Sequence, residues 1–119
     1  MSGRGPELRW RTFLMPFTDT PVRLARLRRD SVTTATAALV RFPPGWSRTA
    51  CVAYASDEEF MLLSGELRMS GQVHRPGVRV RVPGGTPRRA SSTPRGAVAV
   101  AWFTGDPGVV ERLCRARET

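Results

Sequence analysis

Short runs in which apolar and polar residues alternate occupy most of this 119-residue chain. In residues 78–82 valine alternates with arginine, so the two types should lie on opposite faces of a strand. In residues 58–63 the same alternation places Phe60 and Leu62 on the face of Glu58. Clusters of glycine, proline and serine separate these runs. The pattern therefore predicts an all-β fold built from short antiparallel strands.

The remaining strands are predicted from runs of the same kind, at residues 8–13, 21–27, 34–42, 49–54, 66–69, 72–75, 88–92 and 97–103. Ser64 and Gly65 stand between two of these runs, and the pair predicts a tight hairpin there. We expect residues 1–6 to be flexible, and the length suits a single domain over residues 1–119.

The end of the chain changes its period. Asp106 and Pro107 suit an N-cap and a first helical position. The apolar residues that follow recur at helical spacing: Val109, Val110, Leu113 and Cys114. The sequence therefore predicts one short C-terminal helix over residues 106–117.

The composition indicates the kind of genome that encodes this chain, and the charge raises the question of its partners. All 19 basic residues are arginine, and lysine, isoleucine and asparagine are absent, as in proteins from GC-rich bacterial genomes. The net charge of +9 raises the question of an anionic partner. No nucleic-acid-binding motif or aromatic stacking platform accompanies the arginines. A solvated basic surface is therefore favoured over nucleic-acid binding.

The two cysteines, Cys51 and Cys114, follow no CxxC spacing, and we expect both to pack as small hydrophobic residues. No apolar run suits a signal peptide or a membrane span, so the sequence favours a cytoplasmic protein with no membrane partner. His74 stands alone near a turn and is expected at the surface.

Two segments have a specific spacing of glycines, prolines and one carboxylate. In residues 44–65, Gly65 follows Glu58 by seven positions; in residues 77–92, Gly77, Pro83 and Gly85 stand in register. This spacing resembles the two motifs of a small single-domain bacterial cupin of the anti-sigma-factor-like type. The resemblance implies a cupin-type antiparallel β-barrel, the double-stranded β-helix or jelly roll, and a homodimer.

The resemblance also places this chain's departures at the family's metal ligands. Val52 and Tyr54 stand where the two histidines of the first motif belong, and Arg88 stands where the histidine of the second motif belongs. Glu58 is the one ligand kept. Imidazole and carboxylate donors hold transition metals, whereas valine and arginine do not. The predicted barrel therefore has no metal site and no cofactor.

Tyr54, Glu58 and Arg88 would then converge in the barrel as catalytic residues. Arg88 directed inward would hold Glu58 ionised, whereas Arg88 directed outward would leave Glu58 with a raised pKa suited to acid–base work. A purely structural ion pair is the third possibility. The expected substrate-binding residues are mostly apolar: Val52, Phe60, Leu62, Phe42 and Trp102.

The predicted function is metal-independent binding of a small organic molecule in the barrel. An isomerase or cyclase of bacterial secondary metabolism would use such a site, since a snug apolar cavity orients a flexible substrate. The alternative is a non-catalytic module that senses a ligand or regulates a partner, and a basic accessory protein is a third possibility.

Overall fold

The computed structural model describes residues 8–29, 32, 35–105 and 110–114. These residues form twelve strands, β1 to β12 in chain order: Trp10–Phe13, Val22–Arg29, Thr36–Phe42, Trp46–Arg48, Cys51–Tyr54, Glu58–Gly65, Leu67–Met69, Gln72–His74, Arg79–Val82, Ser91–Thr93, Ala97–Phe103 and Val110–Cys114. The predicted all-β class is confirmed. No helix that could span a membrane occurs among the described residues.

The strands form one large and two smaller antiparallel sheets. The six-stranded sheet has the order β1-β2-β3-β11-β6-β9, and the four-stranded sheet has the order β4-β10-β7-β8. β12 pairs with β5 in a third, two-stranded sheet. An isolated bridge joins Val52 of β5 to Arg88, three residues before β10. β1 is an edge strand of the largest sheet, which leaves backbone groups on one side without a strand neighbour in this sheet.

The hydrophobic core joins the two larger sheets. Its buried side chains come from both of them and include Val40 and Phe60 from the six-stranded sheet and Trp46 and Met69 from the four-stranded sheet. Alternation along β6 follows the prediction, because Glu58, Phe60 and Leu62 are buried while their neighbours are more exposed. The two sheets therefore face each other across a shared apolar interior.

The turn at Gly65 carries the chain from one sheet to the other. Gly65 has a φ of 81°, and a Cβ there would overlap the carbonyl oxygen of Gly96, so only glycine fits. β6 pairs with β11 and β9, whereas β7 pairs with β10 and β8. The predicted hairpin at Ser64 and Gly65 is therefore wrong. The hairpin lies one strand later, between β7 and β8.

The end of the chain corrects a second prediction. Residues 110–114 form strand β12, which pairs antiparallel with β5, so the predicted C-terminal helix is wrong for this part of residues 106–117. The rest of that segment, and the N-terminal residues expected to be flexible, lie outside the described residues. Pairing with β5 gives the backbone N–H and C=O groups of residues 110–114 hydrogen-bond partners, whereas an isolated helix of this length would be only marginally stable.

Cys51 is buried, as expected of a small hydrophobic residue, but it is disulfide-bonded, which the spacing of the two cysteines did not imply. In the β12–β5 register, Cys114 pairs with Cys51. Disulfides are typical of oxidising compartments. The cytoplasmic location therefore stays a prediction.

Candidate functional site

A cavity of about 330 Å³ lies between the two larger sheets. Its walls are mainly apolar and aromatic, and they are formed chiefly by side chains of the core: Phe13, Met15, Leu24, Val40, Phe42, Trp46, Phe60, Leu67, Met69 and Phe103. This volume is at the lower end of the range of small-molecule sites. The cavity therefore has the size and lining of a site for a small organic molecule.

Five buried polar side chains border this cavity: Arg48, Tyr54, Glu58, Arg88 and Ser91. Each is placed by a different segment, since Arg48 ends β4, Tyr54 ends β5 and Glu58 begins β6. Arg88 is held by two backbone hydrogen bonds with Val52, of 3.0 and 2.7 Å. A further bond, from Gly85 N–H to the carbonyl oxygen of Tyr54 at 2.8 Å, joins the two motif segments. The motif turns thus bring the polar residues together.

Arg88 points inward and forms an ion pair with Glu58, through its Nη1 atom and Glu58 Oε1. Both side chains are less than one tenth exposed. Burial raises the pKa of Glu58, and this desolvation outweighs the opposing effects of Arg88 and Arg48. Arg88 thus points inward, but its ion pair does not lower the pKa of Glu58 below the ordinary value, because desolvation is the larger effect. Glu58 keeps a carboxyl group that protonates more readily than usual.

Tyr54 lies beside both guanidinium groups. The Cζ atom of Arg88 is 4.2 Å from the centre of the Tyr54 ring, a cation–π distance, and that of Arg48 is 5.6 Å from it. Arg48 Nη1 also donates a hydrogen bond of 3.1 Å to the Tyr54 hydroxyl. Because the hydroxyl accepts this bond, its own proton is available to a ligand.

Several buried polar atoms of the site have no aligned hydrogen-bond partner within the described part of the chain. They are Arg48 Nε, Arg88 Nε, Arg88 Nη2 and Glu58 Oε1. The last of these touches Arg88 as an ion pair without the alignment of a hydrogen bond. Buried polar groups are nearly always hydrogen-bonded. These atoms are therefore the natural contacts for a bound molecule.

The structure places the sequence-predicted site residues in two groups. Tyr54, Glu58, Arg88, Phe60 and Phe42 all border the cavity. Their catalytic and binding roles stay predictions.

The other three predicted binding residues do not border the cavity. Val52 and Leu62 are almost completely buried, Leu62 within the apolar core. Trp102 is on the opposite face of β11 from the cavity-lining Ala101, and Arg79 stacks on it at 5.0 Å. Phe103, the next residue, borders the cavity instead.

Arg48 is the site residue that sequence reasoning missed. It lies two residues after Trp46 on β4, so the two side chains share a buried face, but β4 itself was not predicted. Its cross-strand partner is Ser91, which also borders the cavity. The signal that was present is the Trp-Ser-Arg alternation directly after the Pro-Pro-Gly turn.

The donor set does not fit a transition metal. The four positions that the motif resemblance assigns to metal ligands hold valine, tyrosine, glutamate and arginine, and the Arg88 cation lies against the one carboxylate. Among the described residues, no three histidine, cysteine, aspartate or glutamate side chains are grouped to hold a metal ion. His74 packs edge-on against Phe60 at 5.5 Å, and partial burial lowers its pKa. No step of the chemistry is therefore derived through a metal.

Comparison with known proteins shows the fold. No family model and no curated protein sequence matches the chain. Among solved structures, an acetylacetone dioxygenase from Acinetobacter johnsonii is 16% identical with a TM-score of 0.73, covering 96% of this chain and 85% of its own. A cupin-like protein from Thermotoga maritima is 19% identical with a TM-score of 0.68, and the match covers 90% of this chain and 86% of that chain.

A third structure is a complex of Rhodobacter sphaeroides SigE with the anti-sigma ChrR. The matched chain of this complex is 19% identical to this protein with a TM-score of 0.63, and the match covers 85% of this chain and 52% of that chain. The likeness to these structures, one of which is described as cupin-like, shows the fold alone. The chain has a cupin-like all-β fold.

Proposed function

We propose that the chain binds a small organic molecule in the cavity between its sheets without the help of a metal ion. The observation that carries this proposal is the meeting of Tyr54, Glu58 and Arg88 at a largely apolar cavity. A few converging polar groups in an apolar pocket are the usual composition of a small-molecule site. The misfit of the donor set to a metal supports the metal-independent form.

The proposed chemistry is an isomerisation or cyclisation that needs only proton transfer and orientation. Glu58, whose pKa is raised by burial, serves as the general acid or base. The Tyr54 hydroxyl donates a hydrogen bond to a carbonyl oxygen of the substrate, and Arg88 stabilises negative charge beside it. The aromatic walls restrict a flexible substrate to reactive conformations. Secondary metabolism in a bacterium is the proposed setting.

The second candidate is a ligand-sensing or regulatory module without catalysis. The neighbour that favours it belongs to a complex of a sigma factor with an anti-sigma factor. In this version the same cavity binds the ligand, and occupancy is passed to a partner protein. The homodimer expected from the resemblance would use an edge strand such as β1, and it stays a prediction.

Binding is tested by filling the cavity. Ala99 is buried and borders the cavity, whereas Ala90 is exposed. Ligand-observed NMR with a set of small metabolites should detect binders to the native protein and to Ala90→Leu, but not to Ala99→Leu. Circular dichroism checks that both variants are folded. Equal binding by all three proteins, or stoichiometric iron, zinc or manganese in the purified protein by plasma mass spectrometry, would contradict the proposal.

Catalysis and sensing are separated by what happens to the binder. Proton NMR spectra of each binder, followed over hours, show new signals only if the protein converts it. Conversion that disappears in Glu58→Gln, while line broadening of the binder persists, supports the enzyme. Binding with no conversion by the native protein supports the sensing module.

A further inference from the structure

The polar end of the cavity has more positive charge than its own residues neutralise. Arg48 and Arg88 are 4% and 6% exposed, and each contributes a guanidinium cation. Glu58 is the one acidic side chain among the described residues that border the cavity. At least one buried guanidinium charge is therefore uncompensated by the cavity lining. Buried charges are normally paired, so this excess indicates an anionic occupant.

The unused hydrogen-bond donors of the two arginines support the same reading. Arg48 uses Nη1 on Tyr54, and Arg88 uses Nη1 on Glu58. Arg48 Nε, Arg88 Nε and Arg88 Nη2 are buried, and none has a partner in the part of the chain that the structure describes. Three donor nitrogens from two guanidinium groups beside one Tyr54 ring suit an oxygen-rich anion.

We infer that the cavity binds an organic monocarboxylate, with its carboxylate held between Arg48 and Arg88 and its apolar body against the aromatic walls. This inference rests on the proposed function, whose ligand class it names. A planar carboxylate matches the fork of a guanidinium group. A single negative charge balances the one excess cation left when Glu58 is ionised. Phe42, Phe60 and Phe103 provide the surface for the apolar part.

The entrance of the cavity has the same sign of charge. Arg11 and Arg26 border the cavity and are exposed, so they lie towards solvent while Arg48 and Arg88 lie at depth. Like charges along a cleft raise the rate at which oppositely charged molecules enter it. The four arginines thus describe a path for an anion from solvent to the buried site.

The test uses matched acid and amide probes. Phenylacetate, 3-phenylpropanoate and 4-phenylbutanoate are titrated by calorimetry at pH 7, each beside its primary amide, with phenyl phosphate as the alternative anion. At least one acid should bind ten or more times as tightly as its amide and as phenyl phosphate. In protein labelled with ¹⁵N-arginine, the Nε–H signals of Arg48 and Arg88 should shift on adding that acid.

Variants then assign the effect to residues. Arg48→Met should weaken acid binding at least tenfold and leave amide binding within twofold. The matched control, Arg89→Met, removes an exposed arginine next to Arg88 in sequence and should leave both within twofold. Glu58→Gln should strengthen acid binding, because it removes the carboxylate that competes for Arg88. Arg11→Gln should slow acid association at low salt and leave dissociation unchanged.

The failures are distinguishable. If no acid binds, the inference falls, and the small-molecule proposal falls with it only if the set of metabolites tested by NMR also contains no binder. If the amides or phenyl phosphate bind as well as the acids do, the cavity still binds small molecules and only the carboxylate assignment is overturned. The same holds if acid binding is indifferent to Arg48→Met while the variant remains folded by circular dichroism.

Discussion

Removing Arg88 should be among the most damaging single changes in this protein. Its side chain and that of Glu58 are 7% and 8% exposed, so the pair lies in the regime of buried ion pairs. Breaking such a pair by removing one partner costs about 3–5 kcal/mol, because the other charge is left buried. Arg88→Met should therefore lower the free energy of unfolding by about that amount at pH 8.

The chain offers a matched control. Arg68 and Glu66 form a 2.9 Å pair whose side chains are 56% and 27% exposed. Exposed pairs of this kind contribute about 0–1 kcal/mol, so Arg68→Met should cost little. The double variant Arg88→Met, Glu58→Leu replaces the buried pair with apolar groups and should recover most of the stability lost in Arg88→Met.

The pH dependence gives an independent check. Burial raises the pKa of folded Glu58 above its ordinary value of 4.5, so between these two pKa values the folded state holds a proton that the unfolded chain has released. The stability of the native protein is therefore lowered by Glu58 as pH rises through that window. Glu58→Gln removes this pH dependence, so its free energy of unfolding relative to that of the native protein should rise across the window and then stay constant.

Urea unfolding followed by tryptophan fluorescence and far-UV circular dichroism measures all of these differences, provided that the m-values agree. The cost of Arg88→Met should be larger at pH 8 than at pH 5, since Glu58 without its partner takes up a proton more readily. The reasoning is refuted if Arg88→Met costs no more than Arg68→Met at pH 8. It is also refuted if the difference between Glu58→Gln and the native protein does not change with pH.

Three further changes test the fold, each by urea or thermal unfolding. Leu62→Ala should cost about 2–5 kcal/mol because Leu62 is 1% exposed, whereas Leu63→Ala, at 51%, should stay within about 0.5 kcal/mol; equal costs would contradict the assigned faces of β6. Gly71→Ala should cost about 1–2 kcal/mol for its positive φ, and Gly65→Ala clearly more because of the added overlap; the reverse order would contradict the turn. Reductant should lower the free energy of unfolding of the native protein by about 2–4 kcal/mol, and with it the Tm, but should not affect Cys51→Ala; no response of the native protein would exclude the disulfide.

The strands that could be predicted from sequence are those with one buried and one solvated face. β6 is an example, since alternation alone assigned Glu58, Phe60 and Leu62 to the interior. The motif turns were also readable, because Gly65 and Gly85 adopt the positive φ that glycine favours. The wrong hairpin after β6 has a physical reason. A glycine turn sets the local direction of the chain, but not which sheet receives the next strand.

The C-terminal helix was mispredicted because a short apolar segment fits both periods. Val110 pairs with Tyr54 in the β12–β5 register, and that strand partner lies more than fifty residues away in sequence. Local spacing carries no information on such a pairing. Long-range pairing with the edge of β5 therefore decided between two structures that the segment alone left open.

The site was partly readable for a related reason. Tyr54, Glu58 and Arg88 follow from motif spacing, because the motif turns fix where these positions point. Trp102 was misassigned since β11 is apolar on both faces, so that no polar residue marks the side facing the cavity. Arg48 was missed because hydropathy assigns arginine to solvent, whereas here it lies beneath the core residue Trp46 on a three-residue strand.

A cavity whose polar end carries two guanidinium groups depends on different conditions from a site that holds a metal ion. A metal site with histidine ligands loses its ion when acid protonates the imidazoles, when a chelator removes the ion or when the ion is scarce. The positive end of this cavity needs no bound ion, because its cations are the side chains of Arg48 and Arg88 themselves. Scarcity of metal ions would therefore leave the positive charge of this cavity unchanged.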